Sequence, residues 1–344
     1  MNKKSFTLAE IANEIGATVN GDEKCVVNSL ATLSNAKVGQ IAFLANKKYR
    51  QQLNDTKASA VIIHKNFVDD APTNALVMDD PYLGYALVAQ LLDTTPKPST
   101  SIHPSSVVHS SVKLGINVSI GANAVIEAGV NLADNVSIGA GCFVGENTSI
   151  GCATSLWANV SIYHEIKIGE HCLIQSNTVI GSDGFGYAPV DKKWLKIPQL
   201  GSVIIGNNVE IGASTTIDRG ALDNTIIEDN VILDNQIQIA HNVVIGAGTA
   251  MAACSVVAGS TTIGKNCTIA GLVGINGHIE ITDNCVFTGM SMVTKSIAQS
   301  GVYSSGMPAS PNKDWRRVNA RIRKLDDTVK RFNALESNLL EKNK

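Results

Sequence analysis

From Ile102 onward the chain places an apolar side chain at every sixth position, without interruption to Ile180. The pattern returns at Ile205, Ile211 and Ile217 and then runs from Ile227 to Val293. Many of these residues are followed directly by glycine, as in Ile120-Gly121, Ile138-Gly139 and Ile168-Gly169. A period of six is neither the 3.6 of a helix nor the 2 of an isolated strand. Sustained over this length it predicts a parallel β-helix, in which each aliphatic stacks on its counterpart one coil away. The fourth residue after the aliphatic is small or β-branched, as at Ala124, Val130, Thr148 and Val243. Cys142, Cys172, Cys267 and Cys285 fall in the same slot and are expected to be buried packing thiols. The phase breaks over residues 182–201 and slips at 223–225, and insertions are where a solenoid usually carries its function.

The flanks follow other rules. Thr7-Leu8-Ala9-Glu10 fits a capping box, Leu8, Ile11, Ala12 and Ile15 form one helical face, and Gly16 is a stop. Residues 41–44, 60–63 and 75–78 are short apolar runs of strand type, and Pro81 opens a helix through Leu92. Together they predict a small α/β domain over residues 1–100, closed by a polar, proline-rich linker over 93–100. The β-helix then occupies 101–309. Residues 310–344 predict a C-terminal helix, with Ser310 as its cap and Pro311 in its first turn. Its apolar residues, Trp315, Val318, Ile322, Leu325, Val329, Phe332, Leu335 and Leu339, keep mostly alternating spacings of three and four. That seam must be buried, and pairing with copies of itself is the reading adopted.

Composition narrows the functional classes. Aromatics make up only 5% of the chain and there are 29 glycines, which suits repetitive β-structure. A formal net charge of −2 gives no general attraction to nucleic acid or anionic membrane. The start, MNKKSFTLAEIANEIGA, has no apolar stretch of signal-peptide length, and no run of about 18 apolar residues follows anywhere. Seven cysteines without a CxxC pair or metal-ligand spacing imply reduced thiols in the cytoplasm. No metal and no cofactor is expected.

Several motifs interrupt the repeat: Gly181-Ser182-Asp183-Gly184-Phe185-Gly186-Tyr187, Ile217-Asp218-Arg219-Gly220, Gln238-Ile239-Ala240-His241-Asn242, Asn276-Gly277-His278 and Tyr303-Ser304-Ser305-Gly306-Met307-Pro308. With the long hexapeptide array they resemble the UDP-3-O-(3-hydroxyacyl)glucosamine N-acyltransferases of lipid A biosynthesis, over essentially the whole chain. The resemblance implies a left-handed β-helix with three hexads per triangular coil. It also implies a homotrimer with active sites in the clefts between subunits. The N-terminal domain would bind uridine, and the helical tail would complete the trimer and receive acyl carrier protein. The reaction implied is transfer of a 3-hydroxyacyl group from that carrier to the 2-amino group of the UDP-sugar.

Such chemistry needs a base, an oxyanion site and an acyl groove. A lone histidine in a repeat is more often structural, but His241 falls on the family's catalytic histidine. His278 lies 37 residues later, two eighteen-residue coils plus one position, so both histidines belong near one corner, about 10 Å apart along the axis. It is expected to polarise the thioester carbonyl or hold a phosphate, or else to be a turn residue. Gly259 matches the glycine whose N–H faces the oxyanion, and Asp234 and Gln238 match positions near the acyl hydroxyl and the base. Met290 and Met292 match the acyl groove, where Met292 lies near the family's chain-length ruler; Ser291 stands between them in place of a frequent glycine. Phe43, Asn46 and Tyr49 match the uracil pocket, with Lys47 and Lys48 placed to attract pyrophosphate. On the tail Arg316, Arg317 and Arg321 form a basic face for the acidic carrier, or one that is simply solvated. His164 and His171, outside these motifs, are expected at the surface.

The alternatives are a UDP-N-acetylglucosamine O-acyltransferase, which lacks a domain like residues 1–100, and an acetyl-CoA-dependent acetyltransferase. A β-helical carbonic anhydrase would need three converging histidines, and an ice-binding solenoid would need regular threonine ladders.

Overall fold

The computed structural model describes residues 4–96 and 101–342. The chain divides into two compact units, Met1–Lys97 and Pro98–Lys344.

The first unit follows its local signals closely. Thr7 and Glu10 form the reciprocal capping box at the start of helix Leu8–Ile15, and Gly16 ends it in the left-handed conformation at φ 69°. Helix Pro81–Leu92 has proline in its first turn and takes its cap from Asp80, whose carboxylate accepts from the N–H groups of Tyr82 and Leu83. Strands Gln40–Leu44, Ala60–Ile63 and Asn74–Val77 pair in parallel at the middle of a five-stranded sheet, with Ser29–Leu30 and Thr18–Asn20 at its edges. Ala60–Ile63 is buried throughout, which is why it reads as a continuous apolar run.

The second unit is a parallel β-solenoid. Most hexads contribute a two-residue strand, and Ser119 pairs with Ser137 and Ile120 with Ile138, so one coil takes 18 residues. The coils build three sheets of ten, ten and nine strands. The periodic aliphatics fill the interior in unbroken columns, Ile120 to Phe287 on one sheet and Ile126 to Val293 on the next. The four slot cysteines are buried as expected. Threonines sharing that slot are satisfied by neighbouring coils: Thr148 donates to Tyr163 O (2.9 Å) and accepts from Ile166 N (3.2 Å). Most corners are turned by one left-handed residue, often an asparagine such as Asn123, Asn135, Asn242 or Asn266. Asparagine tolerates that conformation better than other side chains do.

Two insertions disturb the 18-residue spacing. Ile168, Ile174 and Ile180 face Ile205, Ile211 and Ile217, an offset of 37. The extra chain includes an antiparallel hairpin, Tyr187–Val190 with Lys193–Lys196, turned at Asp191 and Lys192. The next coil faces its successor at an offset of 22, Ile217 against Ile239. The phase slip lies slightly earlier than residues 223–225 would place it. Thr225 already belongs to strand Thr225–Ile227 and pairs with Val203, so the protruding residues are 221–224.

The tail departs from expectation in two ways. It is two helices, Asn312–Ile322 and Leu325–Lys342. Pro311 is itself the N-cap (φ −51°, ψ 133°), and no side chain caps the helix, so Ser310 does not serve there. The apolar stripe from Trp315 to Leu339 is exposed along its length. No helix among the described residues is long and apolar enough to cross a membrane.

Candidate active site

The register Ile217–Ile239–Val257–Ile275 places Arg219, His241, Gly259 and Gly277 at one corner in four successive coils. His241 is half-buried there, its ring held between two glycines. A methyl group on Gly184, from the first insertion, would lie 2.8 Å from His241 Cβ and 3.0 Å from Cδ2. A methyl on Gly259 would lie 2.7 Å from both Cε1 and Nε2. Both positions need glycine because the imidazole occupies the space.

Hydrogen bonds fix which nitrogen of His241 is bare. Nδ1 lies 3.0 Å from Asn242 Oδ1. The Asn242 amide is oriented by the second insertion, its Oδ1 accepting from Ala221 N (3.0 Å) and its Nδ2 donating to Asp223 O (3.0 Å). Oδ1 can only accept, so Nδ1 carries the proton and Nε2 presents its lone pair. Nε2, with Cε1, forms the ring edge turned toward Gly259, and the Gly259 N–H has no hydrogen-bond acceptor among the described residues.

A polar network abuts the ring. Asp218 accepts from Ser182 Oγ (3.0 Å) and Gln238 Nε2 (2.9 Å), and Thr216 donates to Gln238 Oε1. Burial pushes the Asp218 carboxyl above its ordinary value, against those two hydrogen bonds and the nearby His241, which pull it down.

The structure brings some expected residues together and separates others. His278 sits at a left-handed corner (φ 59°), exposed, its N–H donating to Gly259 O (3.0 Å) two coils beyond His241. Asp234 is not at this corner. It follows strand Ile232–Leu233 and is separated from His241 by strand Gln238–Ile239, which belongs to another sheet. Its carboxylate accepts from Asn235 N (2.7 Å) and Ala253 N (3.1 Å). On the outer face beside the His241 corner, Gln238, Val256, Gly274 and Met292 align in one column. A methyl on Gly274 would touch nothing within 4 Å, so the column dips there and ends at Met292, which is 69% exposed. Met290 lies on the preceding corner. His164 and His171 are exposed as expected, though His164 also accepts from Arg219.

In the N-terminal unit Phe43 stacks on Tyr85 (centroids 4.2 Å, 15°), with Tyr82 tilted 6.5 Å away. Asn46 caps the short turn Lys47–Tyr49 through its Oδ1, and Tyr49 is exposed. Arg50 is engaged by Asp70 (2.9 Å) and lies over the Phe67 ring. On the tail Arg317 pairs with Asp314 (2.8 Å), while Arg316 and Arg321 form no ion pair among the described residues.

Sequence reading passed over Asp218, Arg219, Gly184, Tyr82 and Tyr85 as individual site residues. An adjacent Asp-Arg pair ending a hexad strand, in an array whose corner positions are mostly small or neutral, was the available signal for the first two.

Comparison with known proteins now bears on this geometry. Residues 24–91 match the family model described as UDP-3-O-(3-hydroxymyristoyl) glucosamine N-acyltransferase, LpxD. Residues 117–152 and 147–182 match the bacterial transferase hexapeptide repeat. The chain is 63% identical to the UDP-3-O-acylglucosamine N-acyltransferase of Colwellia psychrerythraea, over 98% of its own length and all of that protein. It belongs to the UDP-3-O-acylglucosamine N-acyltransferase family. Membership makes the chain an acyltransferase and accounts for both units, the family model lying on the first and the repeat on the second. The solenoid is shared more widely. The solved Arabidopsis UDP-N-acetylglucosamine acyltransferase is 25% identical, with a TM-score of 0.55 over 64% of this chain and 77% of that one.

Proposed function

We propose that the protein transfers a 3-hydroxyacyl group from acyl carrier protein to the 2-amino group of UDP-3-O-(3-hydroxyacyl)glucosamine, with His241 as general base. The observation that carries this reading is an imidazole whose Nδ1 is committed to Asn242 and whose bare Nε2 faces Gly259, a residue with an unpaired N–H. His241 Nε2 takes the proton of the attacking amine while nitrogen adds to the thioester carbonyl. Gly259 N–H receives the developing oxyanion. Collapse breaks the C–S bond, and the imidazolium returns its proton to the departing thiolate.

The remaining assignments follow the resemblance. His278 polarises the thioester carbonyl or holds a substrate phosphate. The column ending at Met292, with Met290 near it, walls the acyl groove, and Asp234 and Gln238 serve the acyl hydroxyl and the base. The placement of Asp234 on another corner means that it would act across a subunit cleft. Phe43, Asn46 and Tyr49 hold uracil, Lys47 and Lys48 attract pyrophosphate, and Arg316, Arg317 and Arg321 meet the carrier. The working unit is a cytoplasmic homotrimer of chains divided at 1–100, 101–309 and 310–344.

The test is incubation with 3-hydroxyacyl carrier protein and UDP-3-O-(3-hydroxyacyl)glucosamine. An N-acylated product supports the reading. Acylation of UDP-N-acetylglucosamine instead would replace it with the O-acyltransferase alternative.

Two further outcomes are expected. Asn242→Ala removes the acceptor that fixes the imidazole tautomer, and kcat should fall about tenfold or more with KM little changed. A steady-state comparison that finds normal kcat would remove Asn242 from the mechanism. Deleting residues 312–344 should lower the mass in light scattering below that of a trimer and raise KM for the carrier. Unchanged mass and unchanged kinetics would defeat both tail assignments.

A further inference from the structure

Arg219 is only 2% exposed although its guanidinium carries a full charge, and no carboxylate among the described residues pairs with it. Burying a cation is costly unless its donors are used. Here two of its nitrogens are engaged, one on the first insertion and one on His164 of an earlier coil. Nε donates to Gly201 O (2.8 Å), Nη1 donates to His164 Nε2 (2.7 Å), and the Arg219 backbone N–H donates to Ser182 O (2.9 Å). Ser182 and Gly201 are the two feet of the insertion. Its far foot is tied again by Gly201 N to Gly220 O (2.9 Å), and its near foot by Ser182 Oγ to Asp218. Two residues beyond the near foot lies Gly184, against the face of His241.

We propose that Arg219 is a positioning residue for acyl transfer, holding the 182–201 insertion in the orientation that seats Gly184 against the His241 imidazole. The inference rests on His241 being the base. Arg219 touches no reacting atom in this scheme; it acts through the insertion. The geometry requires a fork. The carbonyl of Gly201 and the ring of His164 are engaged by different guanidinium nitrogens, a task for which a single ammonium is ill suited.

The experiment uses Arg219→Lys in the full chain, with steady-state kinetics and hydrogen exchange read by peptide. Turnover should fall about tenfold or more, because small displacements of a reacting group are expensive, while KM for both substrates stays within about twofold. Exchange should quicken in peptides covering 183–200 and stay unchanged in coils from 226 to 287. Two results would each overturn the proposal: normal turnover in the folded variant, or exchange accelerated equally through those coils, which is the mark of a purely structural role. If Arg219→Lys does not fold, His164→Ala removes only one acceptor at the exposed rim. The same split, smaller in size, is then expected, and normal turnover would again overturn the proposal. Failure of the underlying reading looks different, since His241→Ala would then retain turnover whatever the insertion does.

Discussion

Replacing His241 by alanine should leave a folded solenoid whose turnover is lower by about 10²–10⁴, the range over which general-base catalysis acts. The fold should survive because the ring belongs to a corner and not to the interior. Its neighbours Ile239 and Val243 stay buried in the core column. Alanine already fills the same hexad position at Ala122, Ala140 and Ala158, so the backbone accepts it. A base acts only in the transition state, so kcat and kcat/KM should fall together. Comparing wild type and variant by acyl-transfer rate and thermal melting separates the effects. Near-wild-type turnover in a variant with an unchanged melt would mean that another group removes the proton.

Gly259→Ala should be almost as damaging for a different reason. The added methyl would stand 2.7 Å from Cε1 and Nε2 of His241, closer than such atoms can approach. The ring has little room to retreat, with Gly184 against its other atoms and Nδ1 bonded to Asn242. Any shift therefore breaks a contact that sets the tautomer or the aim of Nε2. A loss of about 100-fold in kcat is expected, the scale of a misplacement near 1 Å. Gly259 is not among the left-handed residues, so the substitution should cost little backbone strain and the melting temperature should hold. Unimpaired kcat would show that the site has slack.

These expectations depend on features legible to different degrees in the sequence. The period of six was sufficient for the solenoid because every coil repeats the same steric problem. Helix Pro81–Leu92 matched residue for residue because its first-turn proline is a local rule. The hairpin escaped because Asp191 and Lys192 turn it in left-handed conformations (φ 47° and 64°) without a glycine to announce them. The break after Ile322 was hidden by an apolar spacing that continues across it. Asp234 shows a subtler limit. Seven residues before His241 sounds close, but in a hexad array it is the previous corner. Arg219 escaped because a charge in a repeat reads as solvated, and only the insertion folded over it makes it buried.

The unequal offsets also have a mechanical meaning. A solenoid bonds each coil only to the coils on either side, so tension applied along the stack should peel it in discrete steps. An ordinary coil of 18 residues would release roughly 60 Å of chain, whereas offsets of 37 and 22 would release roughly 125 and 75 Å. In a force-extension trace the coils leading into the His241 corner would stand out as two odd lengths among equal ones.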